Sequence, residues 1–204
     1  MIRVQGVKTV APAVKTAVGL SENEHMSSRP RRADARVANE RILAAAVSTL
    51  GADPAASLER LAQVAGVHRA TVYRHFPSRE HLIAAVAARA VTEGRVVVER
   101  AAELYPDERA VYRLAADTAQ FGNRYSFLIG TPDVAAAGPD PIGLSALMTT
   151  WQSKRVLRND VSPEWLAAAF IALAHALLTP GVLPPGHEPH EVLAEMFLRG
   201  ASAG

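Results

Sequence analysis

The chain has 204 residues, of which 49% are hydrophobic and 21% charged, and its formal net charge is +2. It contains no cysteine, which excludes disulfides, thiolate metal ligands and thiol redox sensors and favours a reducing, cytoplasmic location. Its longest apolar run, residues 166–178, is far shorter than the roughly 20 residues of a membrane span. Residues 1–25 lack the unbroken apolar stretch of a secretory signal. We therefore predict a globular protein that is neither exported nor inserted in a membrane.

The predicted fold class is all-α. Aromatic residues make up only 5% of the chain, alanine is abundant, and glycine and proline gather at short interruptions, which favours helices over sheets. Residues 1–28 have no sustained apolar period and are predicted to form a mobile N-terminal arm. A first helix is expected from Asp34, as its N-cap, to Gly51, because the apolar residues between them fall on one helical face.

Two short helices joined by a glycine are expected next. Ser57 is placed to cap the first of them, and Gly66 supplies the tight turn that ends it. The second short helix is predicted over residues 68–75, and residues 76–78 then break the chain. Ser78 is placed to cap a long fourth helix, which joins two domains.

The predicted domains are a three-helix helix-turn-helix domain over residues 29–80 and a helical domain over residues 81–204. In the second domain a helix is expected to start after Asp107. The segment 130–143 is too rich in glycine and proline to be regular and is predicted to form a loop. Ser162, followed by proline and glutamate, is a strong helix start signal.

Positive charge is concentrated in the N-terminal half. Residues 27–90 carry ten arginines against five acidic residues, whereas residues 91–204 have a net charge of −4. This asymmetry indicates that one segment contacts a polyanion. In the second short helix, Val67, Val72 and Phe76 can anchor the inner side. The outward side carries polar residues, namely His68, Arg69, Thr71, Tyr73, Arg74 and His75.

These outward side chains suit the major groove of DNA. Arginine can donate two hydrogen bonds to guanine, threonine can contact the thymine methyl group, and several of these groups can bind phosphates. A helical hairpin with a merely solvated face would have the same spacing. The spacing alone therefore leaves both interpretations open.

Residues 57–82, SLERLAQVAGVHRATVYRHFPSREHL, resemble the signature of the tetracycline-repressor (TetR) family of bacterial regulators. The resemblance implies a DNA-binding domain, a helical domain for ligand binding and dimerisation, and double-stranded DNA with an inverted repeat as the target. Two positions depart from the family pattern. His68 stands where the family usually has serine or threonine, and Arg79 stands where it usually has lysine.

The resemblance also assigns roles by position. Arg69 and Thr71 are expected to face bases. Tyr73, His75 and Arg79, the last in the fourth helix, are expected to hold phosphates. An inverted repeat then requires a dimer whose two recognition helices lie about 34 Å apart, or a multiple of that distance.

The C-terminal domain is expected, on the same resemblance, to enclose a ligand cavity. We predict that it lies between the helices that carry Phe121, Tyr125, Met148 and Trp151, with the loop 130–143 near its entrance. Few charged residues are predicted inside. The expected ligand is therefore a small hydrophobic molecule, neutral or weakly polar, and no cofactor is predicted.

The last two helices, predicted over residues 163–178 and 189–199, are expected to form a homodimer. They carry more apolar residues than one inward stripe needs, which favours a four-helix arrangement with a second copy. The residues expected at this interface are Trp165, Phe170, Leu173, Leu177, Met196 and Phe197.

Three functions are compatible with the sequence: a repressor released by a ligand, a DNA-binding dimer whose C-terminal domain is only a scaffold, and an enzyme that has kept the helices without binding DNA. No phosphate-binding loop, nucleophile elbow or carboxylate pair supports the enzyme. Residues 187–191, HEPHE, contain Pro189 and lack a third clustered ligand, so no metal site is predicted. His175 lies in an apolar helix and could sense ligand or pH, although a core or interface histidine is the commoner case.

Overall fold

A computed structural model describes residues 22–179, 181–183 and 185–203. The described residues form nine α-helices and a one-turn 3-10 helix, with no β-strand beyond an isolated bridge between Leu157 and Ser202. The predicted all-α fold is confirmed. No helix in this described part has both the length and the apolar character that a membrane crossing needs. The helices are α1 (Glu22–Ala52), α2 (Leu58–Ala65), α3 (Arg69–His75), α4 (Arg79–Ala102), α5 (Glu108–Tyr125), the 3-10 helix (Ser126–Leu128), α6 (Pro132–Ala136), α7 (Leu144–Ser153), α8 (Pro163–Leu177) and α9 (Pro189–Ala201).

Helix α1 begins earlier than the sequence predicted. A division of the structure into two units falls within α1, between Val37 and Ala38. Of the predicted N-terminal arm, residues 1–21 lie outside the described residues, and residues 22–28 belong to α1. Asp34 therefore lies inside the helix and is not its N-cap.

Side-chain caps begin the later helices at the predicted residues. Ser57, Ser78 and Ser162 each accept a hydrogen bond from the backbone N–H three residues later, at 3.2, 3.4 and 3.2 Å. Asp107 accepts one from the backbone N–H two residues later, at 2.9 Å. Each cap satisfies an N–H group that has no partner within its own helix. These predictions are confirmed because the capping interaction is local in sequence.

The predicted loop 130–143 contains a short helix, α6, so its interpretation as wholly irregular was wrong. Pro132 occupies the first helical position and Asp133 the first turn, which are favourable helix start residues. The end of the segment is fixed by Asp140, whose carboxylate accepts a hydrogen bond from the backbone N–H of Leu144 at 2.8 Å. A composition rich in glycine and proline therefore hid one helical turn.

Two hydrophobic clusters form the core, and α4 belongs to both of them. The N-terminal cluster packs α1 to α4 together with the end of α5, and its fully buried members include Ile42, Leu50, Leu61, Val72, Leu82 and Val86. The C-terminal cluster packs the end of α4 with α5, α7, α8 and α9, and its fully buried members include Val111, Met148, Trp151, Leu157, Leu166 and Phe170. The long fourth helix therefore contributes to both clusters.

Candidate nucleic-acid interface and ligand cleft

Helices α2 and α3 form a helix-turn-helix around a glycine. Gly66 has φ 65°, in the left-handed region that glycine adopts without a steric penalty. The backbone N–H of Val67 then donates to the carbonyl of Ala62 at 3.0 Å, which closes the end of α2. On the inner side of α3, Val72 is completely buried and Phe76 is 5% exposed. These anchors leave the opposite side of α3 free to enter a groove.

Helix α3 is capped by a histidine in place of a hydroxyl residue. His68 lies just before the helix in extended conformation, and its Nδ1 accepts a hydrogen bond from the backbone N–H of Ala70 at 3.2 Å. The accepting nitrogen must carry no proton, so the neutral ring with its proton on Nε2 fits this role. Helix α3 therefore has a side-chain cap although His68 replaces the serine or threonine that the family usually has at this position.

Five of the predicted DNA-contacting residues lie together on the outer side of α3, and we call them the recognition face. His68, Arg69, Tyr73 and Arg74 are exposed, and Thr71 is half-buried beside them. The arrangement agrees with an α-helix whose N-terminal half and outer side meet base edges.

Arg69 is held by two other side chains at the recognition face. Its Nη2 lies 2.8 Å from Oε1 of Glu59 and 3.3 Å from the hydroxyl of Tyr73. The Tyr73 hydroxyl donates to the same Glu59 oxygen at 3.3 Å. The guanidinium also lies over the Tyr73 ring, 5.1 Å from its centroid. Glu59 of α2 is thus linked to Arg69 and Tyr73 of α3 at the recognition face.

Two of the predicted phosphate contacts are engaged inside the DNA-binding domain. Arg79 donates from Nη1 to the carbonyl of Ala56 at 2.5 Å, and from Nη2 to the carbonyl of Pro54. His75 is half-buried beside Phe76, and its Nε2 is buried without a hydrogen-bond partner in the described part of the chain. The phosphate contact stays a prediction for both residues. Arg79 fastens the loop before α2 to the start of α4, and His75 packs against the domain core.

An apolar cleft of about 370 Å³ opens between α4, α5 and α8. Phe121 and Tyr125 of α5 form one wall, and Ile171 and His175 of α8 form another. Five residues of the segment 130–143 also line it, so that segment borders the cleft. None of the described lining residues is an aspartate, glutamate, lysine or arginine. This composition suits a largely apolar molecule.

A smaller cleft of about 110 Å³ shares Phe121, Tyr125, Ile171 and His175 with the apolar cleft. Partial removal of water from its ring lowers the pKa of His175 below its ordinary value of 6.5. The imidazole is therefore neutral at pH 7. Both clefts consequently present an uncharged lining near neutral pH.

The other two predicted ligand residues lie elsewhere. Met148 and Trp151 are 0% and 1% exposed, and both pack within the C-terminal cluster. Neither is among the residues that line the apolar cleft or the smaller cleft. We therefore revise their assignment, because their helical spacing reflects core packing.

Tyr125 connects the apolar cleft with the DNA-binding domain. It lines the cleft, and it is also a member of the N-terminal cluster, where it is 4% exposed. Its hydroxyl is buried and has no hydrogen-bond partner among the described residues. Burial, together with the nearby Glu93 carboxylate, raises the pKa of Tyr125 to about 12. The hydroxyl is therefore a protonated group at the boundary between the two parts of the molecule.

A chain of ion pairs beside Tyr125 links α1, α4 and α5. Arg89 lies 2.9 Å from Glu40 through Nη1 and 2.9 Å from Glu93 through Nε. The other oxygen of Glu93 lies 3.2 Å from Nη2 of Arg124. A wider cleft of about 470 Å³ is lined by three of these charged residues, Arg89, Glu93 and Arg124. Its charged wall disfavours an apolar ligand.

The predicted dimer residues fall into three classes of burial. Trp165 and Met196 are 57% and 53% exposed. Leu173 and Leu177 are half-buried. Phe170 and Phe197 are 0% and 2% exposed and stack edge to face in the C-terminal cluster, with ring centroids 5.1 Å apart. We revise their assignment from the interface to the core of a single chain.

Comparison with known proteins identifies the family. The family model described as bacterial regulatory proteins, tetR family, matches residues 42–86. The HTH-type transcriptional repressor LfrR of Mycolicibacterium smegmatis is 30% identical over 140 residues, which cover 66% of this chain and 74% of that protein. The chain belongs to the TetR family.

Solved structures of similar fold extend the TetR comparison beyond the matched segment. The TetR-like regulator LfrR from Mycobacterium smegmatis, in complex with proflavine, superposes with a TM-score of 0.64 at 24% identity and covers 81% of this chain and 96% of that chain. A protein of unknown function from Rhodococcus sp. RHA1 superposes with a TM-score of 0.63 at 25% identity, over 81% of this chain and 95% of that chain. The helical C-terminal part therefore shares the fold as well.

As a TetR-family member, the protein is a DNA-binding transcriptional regulator. The family consists of regulators and not of enzymes, so the enzymatic alternative is excluded.

Glu59 and Ile171 are among the residues of these sites that sequence reasoning missed. Glu59 lies on α2 and contacts Arg69 on α3, and the periodicity of apolar residues within one helix does not reveal a contact between two helices. Ile171 lines the apolar cleft four residues before His175, so the two share a face of α8. A histidine in an apolar helix, with an isoleucine one turn before it, was the available signal for that wall.

Proposed function

We propose that this TetR-family protein is a homodimeric repressor that binds an inverted-repeat operator and is released from it by a small hydrophobic ligand. The observation that carries the proposal is the double position of Tyr125, in the wall of the apolar cleft and in the N-terminal cluster. A molecule that moves Tyr125 disturbs the packing that supports α3. The proposal locates the protein in the cytoplasm, where bacterial DNA lies.

The apolar cleft supports the ligand part of the proposal. Its volume of about 370 Å³ exceeds the lower bound of about 300 Å³ for sites that take drug-sized molecules. Its walls are apolar, and the imidazole of His175 offers a hydrogen bond to a polar group of a ligand. The similar protein LfrR has been solved with proflavine, which supports a small-molecule ligand for this chain as well.

The recognition face supports the operator part of the proposal. Arg69 can donate two hydrogen bonds to guanine, and the methyl group of Thr71 can contact thymine. Tyr73 and Arg74 are exposed next to them and can donate to phosphates. A homodimer presents two such faces, which fit an inverted repeat with half-sites about 34 Å, or a multiple of that, apart.

The outer sides of α8 and α9 support the homodimer. Trp165 begins an exposed strip of α8 that continues through Ala168 and Ala172, and Met196 is exposed on α9. A large apolar side chain beside small ones allows a second pair of helices to approach closely. Two copies of α8 and α9 then form a four-helix interface.

Helix α4 supplies the connection between ligand and DNA. Its first half belongs to the N-terminal cluster, and Ala87, Ala90 and Val91 line the apolar cleft. A ligand shifts the protein only through its difference in affinity between the DNA-competent and incompetent states. The ligand therefore has to favour the state in which α4 holds the two recognition helices at the wrong separation.

The proposal is tested by selecting bound DNA fragments and then titrating the complex with hydrophobic compounds, with proflavine as the first. Ile171→Trp fills the apolar cleft and should keep operator binding while abolishing the ligand response. Val96→Trp adds the same bulk at a position 39% exposed on α4 and should leave that response intact. A dimer that binds its operator but never responds to any compound would contradict ligand release and favour the scaffold function.

A further inference from the structure

The contact between Glu59 and Arg69 joins opposite charges at the surface that faces DNA. The pKa of Glu59 lies below its ordinary value, because its own backbone N–H and the Ser57 hydroxyl donate hydrogen bonds to its carboxylate. Glu59 is therefore negatively charged at neutral pH. A carboxylate at this surface repels every phosphate, so it disfavours binding to all DNA sequences alike.

The same carboxylate restrains the side chain that reads bases. Glu59 and Tyr73 hold Arg69 from two directions, with distances of 2.8 and 3.3 Å to the same Nη2 atom. Arginine has five N–H donors in a rigid fork, so one edge can stay on Glu59 while the others meet a base. An arginine restrained in this way loses less conformational freedom when it binds guanine than an unrestrained arginine.

We infer that Glu59 is a positioning residue that sets the DNA sequence specificity of this regulator by holding Arg69 for base contact and keeping it off phosphates. On non-specific DNA, an Arg69 that turns towards a phosphate gives up its contact with Glu59, and Glu59 is left close to the negative backbone. On the operator, Arg69 keeps Glu59 as a partner while it donates to a guanine. Glu59 therefore weakens non-specific binding more than operator binding.

This inference rests on the proposed base contact of Arg69, and the two can fail separately. Arg69→Ala tests the contact itself, because it should weaken operator binding and reduce discrimination between operator and random DNA. Glu59→Gln tests the positioning role, because it keeps the size of the side chain and removes its charge. The double variant shows whether Glu59 acts through Arg69 or only through its own charge.

The experiment measures affinity for an operator fragment and for a random fragment of equal length, by fluorescence anisotropy at one fixed salt concentration. Glu59→Gln should tighten random binding and lower the ratio of operator to random affinity by about twofold to fivefold, the size expected for an exposed ion pair. In the Arg69→Ala background the same substitution should leave the ratio unchanged. Glu99→Gln, an equal charge change on the exposed side of α4, should leave it unchanged in both backgrounds.

Two outcomes overturn the inference. Glu59→Gln could tighten operator and random DNA by the same factor, which assigns only a general charge effect to Glu59. It could also lower the ratio equally with and without Arg69, which shows that Glu59 does not act through Arg69. If Arg69→Ala itself leaves operator binding unchanged, the proposed base contact fails first. Thermal unfolding of each variant at neutral pH checks that these exposed substitutions leave the domain folded.

Discussion

The guanidinium of Arg89 on α4 lies 2.9 Å from the carboxylate of Glu40 on α1, and the same guanidinium also binds a glutamate one turn further along α4. That glutamate, Glu93, reaches Arg124 at the end of α5. The series of ion pairs thus begins on α1, in the DNA-binding part, and ends on α5, which forms one wall of the apolar cleft. A movement of α5 can therefore be transmitted to α1 through these ion pairs.

Substituting Arg89→Gln should uncouple ligand binding from DNA binding. Operator affinity without ligand should change little, whereas the ligand-induced loss of affinity should shrink by about fivefold, or about 1 kcal/mol of coupling free energy. Operator titrations with and without saturating ligand measure this directly. Arg113→Gln is the matched control, because it breaks an ion pair to Asp117 within α5 alone. An equal loss of coupling in both variants would contradict the assigned route.

Arg79 should contribute to stability more than to DNA affinity. Its guanidinium donates to the carbonyls of Pro54 and Ala56, so Arg79→Ala removes two charge-assisted hydrogen bonds. We expect the free energy of unfolding to fall by about 1–2 kcal/mol, measured by urea denaturation. Arg74→Ala, on the exposed recognition face, should instead weaken DNA binding and leave stability within about 0.5 kcal/mol. A reversed pattern would favour the phosphate role predicted from the sequence.

The helix starts were predictable from the sequence because capping is a local interaction. Ser57, Ser78 and Ser162 each bond the backbone three residues later, so the residue type and its position carry the information. The prediction that Asp34 caps α1 was wrong, because aspartate also occurs inside a helix when the residues before it are helical. The recognition face was predictable for a similar reason, because α3 is short and Val72 fixes its inner side.

The ligand site was only half predictable because helical periodicity reports that a face is buried but not which helix covers it. Phe121 and Trp151 both follow an apolar stripe, yet one lines the apolar cleft and the other lies in the C-terminal cluster. Phe170 was assigned to the dimer for the same reason, and it packs inside its own chain. The partners of Arg79 are backbone carbonyls more than 20 residues away, which no side-chain pattern reveals.

Removing the Tyr125 hydroxyl should not cost stability at neutral pH. It is buried and no described residue forms a hydrogen bond with it, so Tyr125→Phe should leave the free energy of unfolding unchanged or raise it by up to about 1 kcal/mol. The pKa of Tyr125 is about 12 in the folded protein, above its ordinary value of 10.0. The unfolded chain therefore loses this proton first, and the free energy of unfolding of the wild type falls as pH rises from 10 towards 12.

The comparison of wild type and Tyr125→Phe by thermal unfolding between pH 8 and pH 11 checks this expectation. The variant should lose less stability in the alkaline part of the range. Tyr105→Phe, at a side chain that is 79% exposed, controls for the loss of an exposed hydroxyl. A clear loss of stability in Tyr125→Phe at pH 8 would mean that the hydroxyl has a partner in solution.

Charge at the exposed side of α8 should dissociate the dimer without unfolding the chain. Trp165→Glu places a carboxylate at a position that is 57% exposed in the single chain, so stability of the protomer should change little. Phe170→Ala should instead lower the free energy of unfolding by about 3–5 kcal/mol, because it opens a cavity in the C-terminal cluster. Sedimentation together with urea denaturation separates the two effects. A dimer that tolerates Trp165→Glu would contradict the α8–α9 interface.

The most direct test of ligand release is to measure the affinity of one active compound twice by titration calorimetry, for the free protein and for its operator complex. Reciprocity requires that a ligand which weakens operator binding by a given factor binds the complex more weakly by the same factor. We predict that equality, with a factor of about 5 to 150, the usual range of such coupling. Equal affinity for the free and the operator-bound protein would contradict the claim that the apolar cleft controls DNA binding.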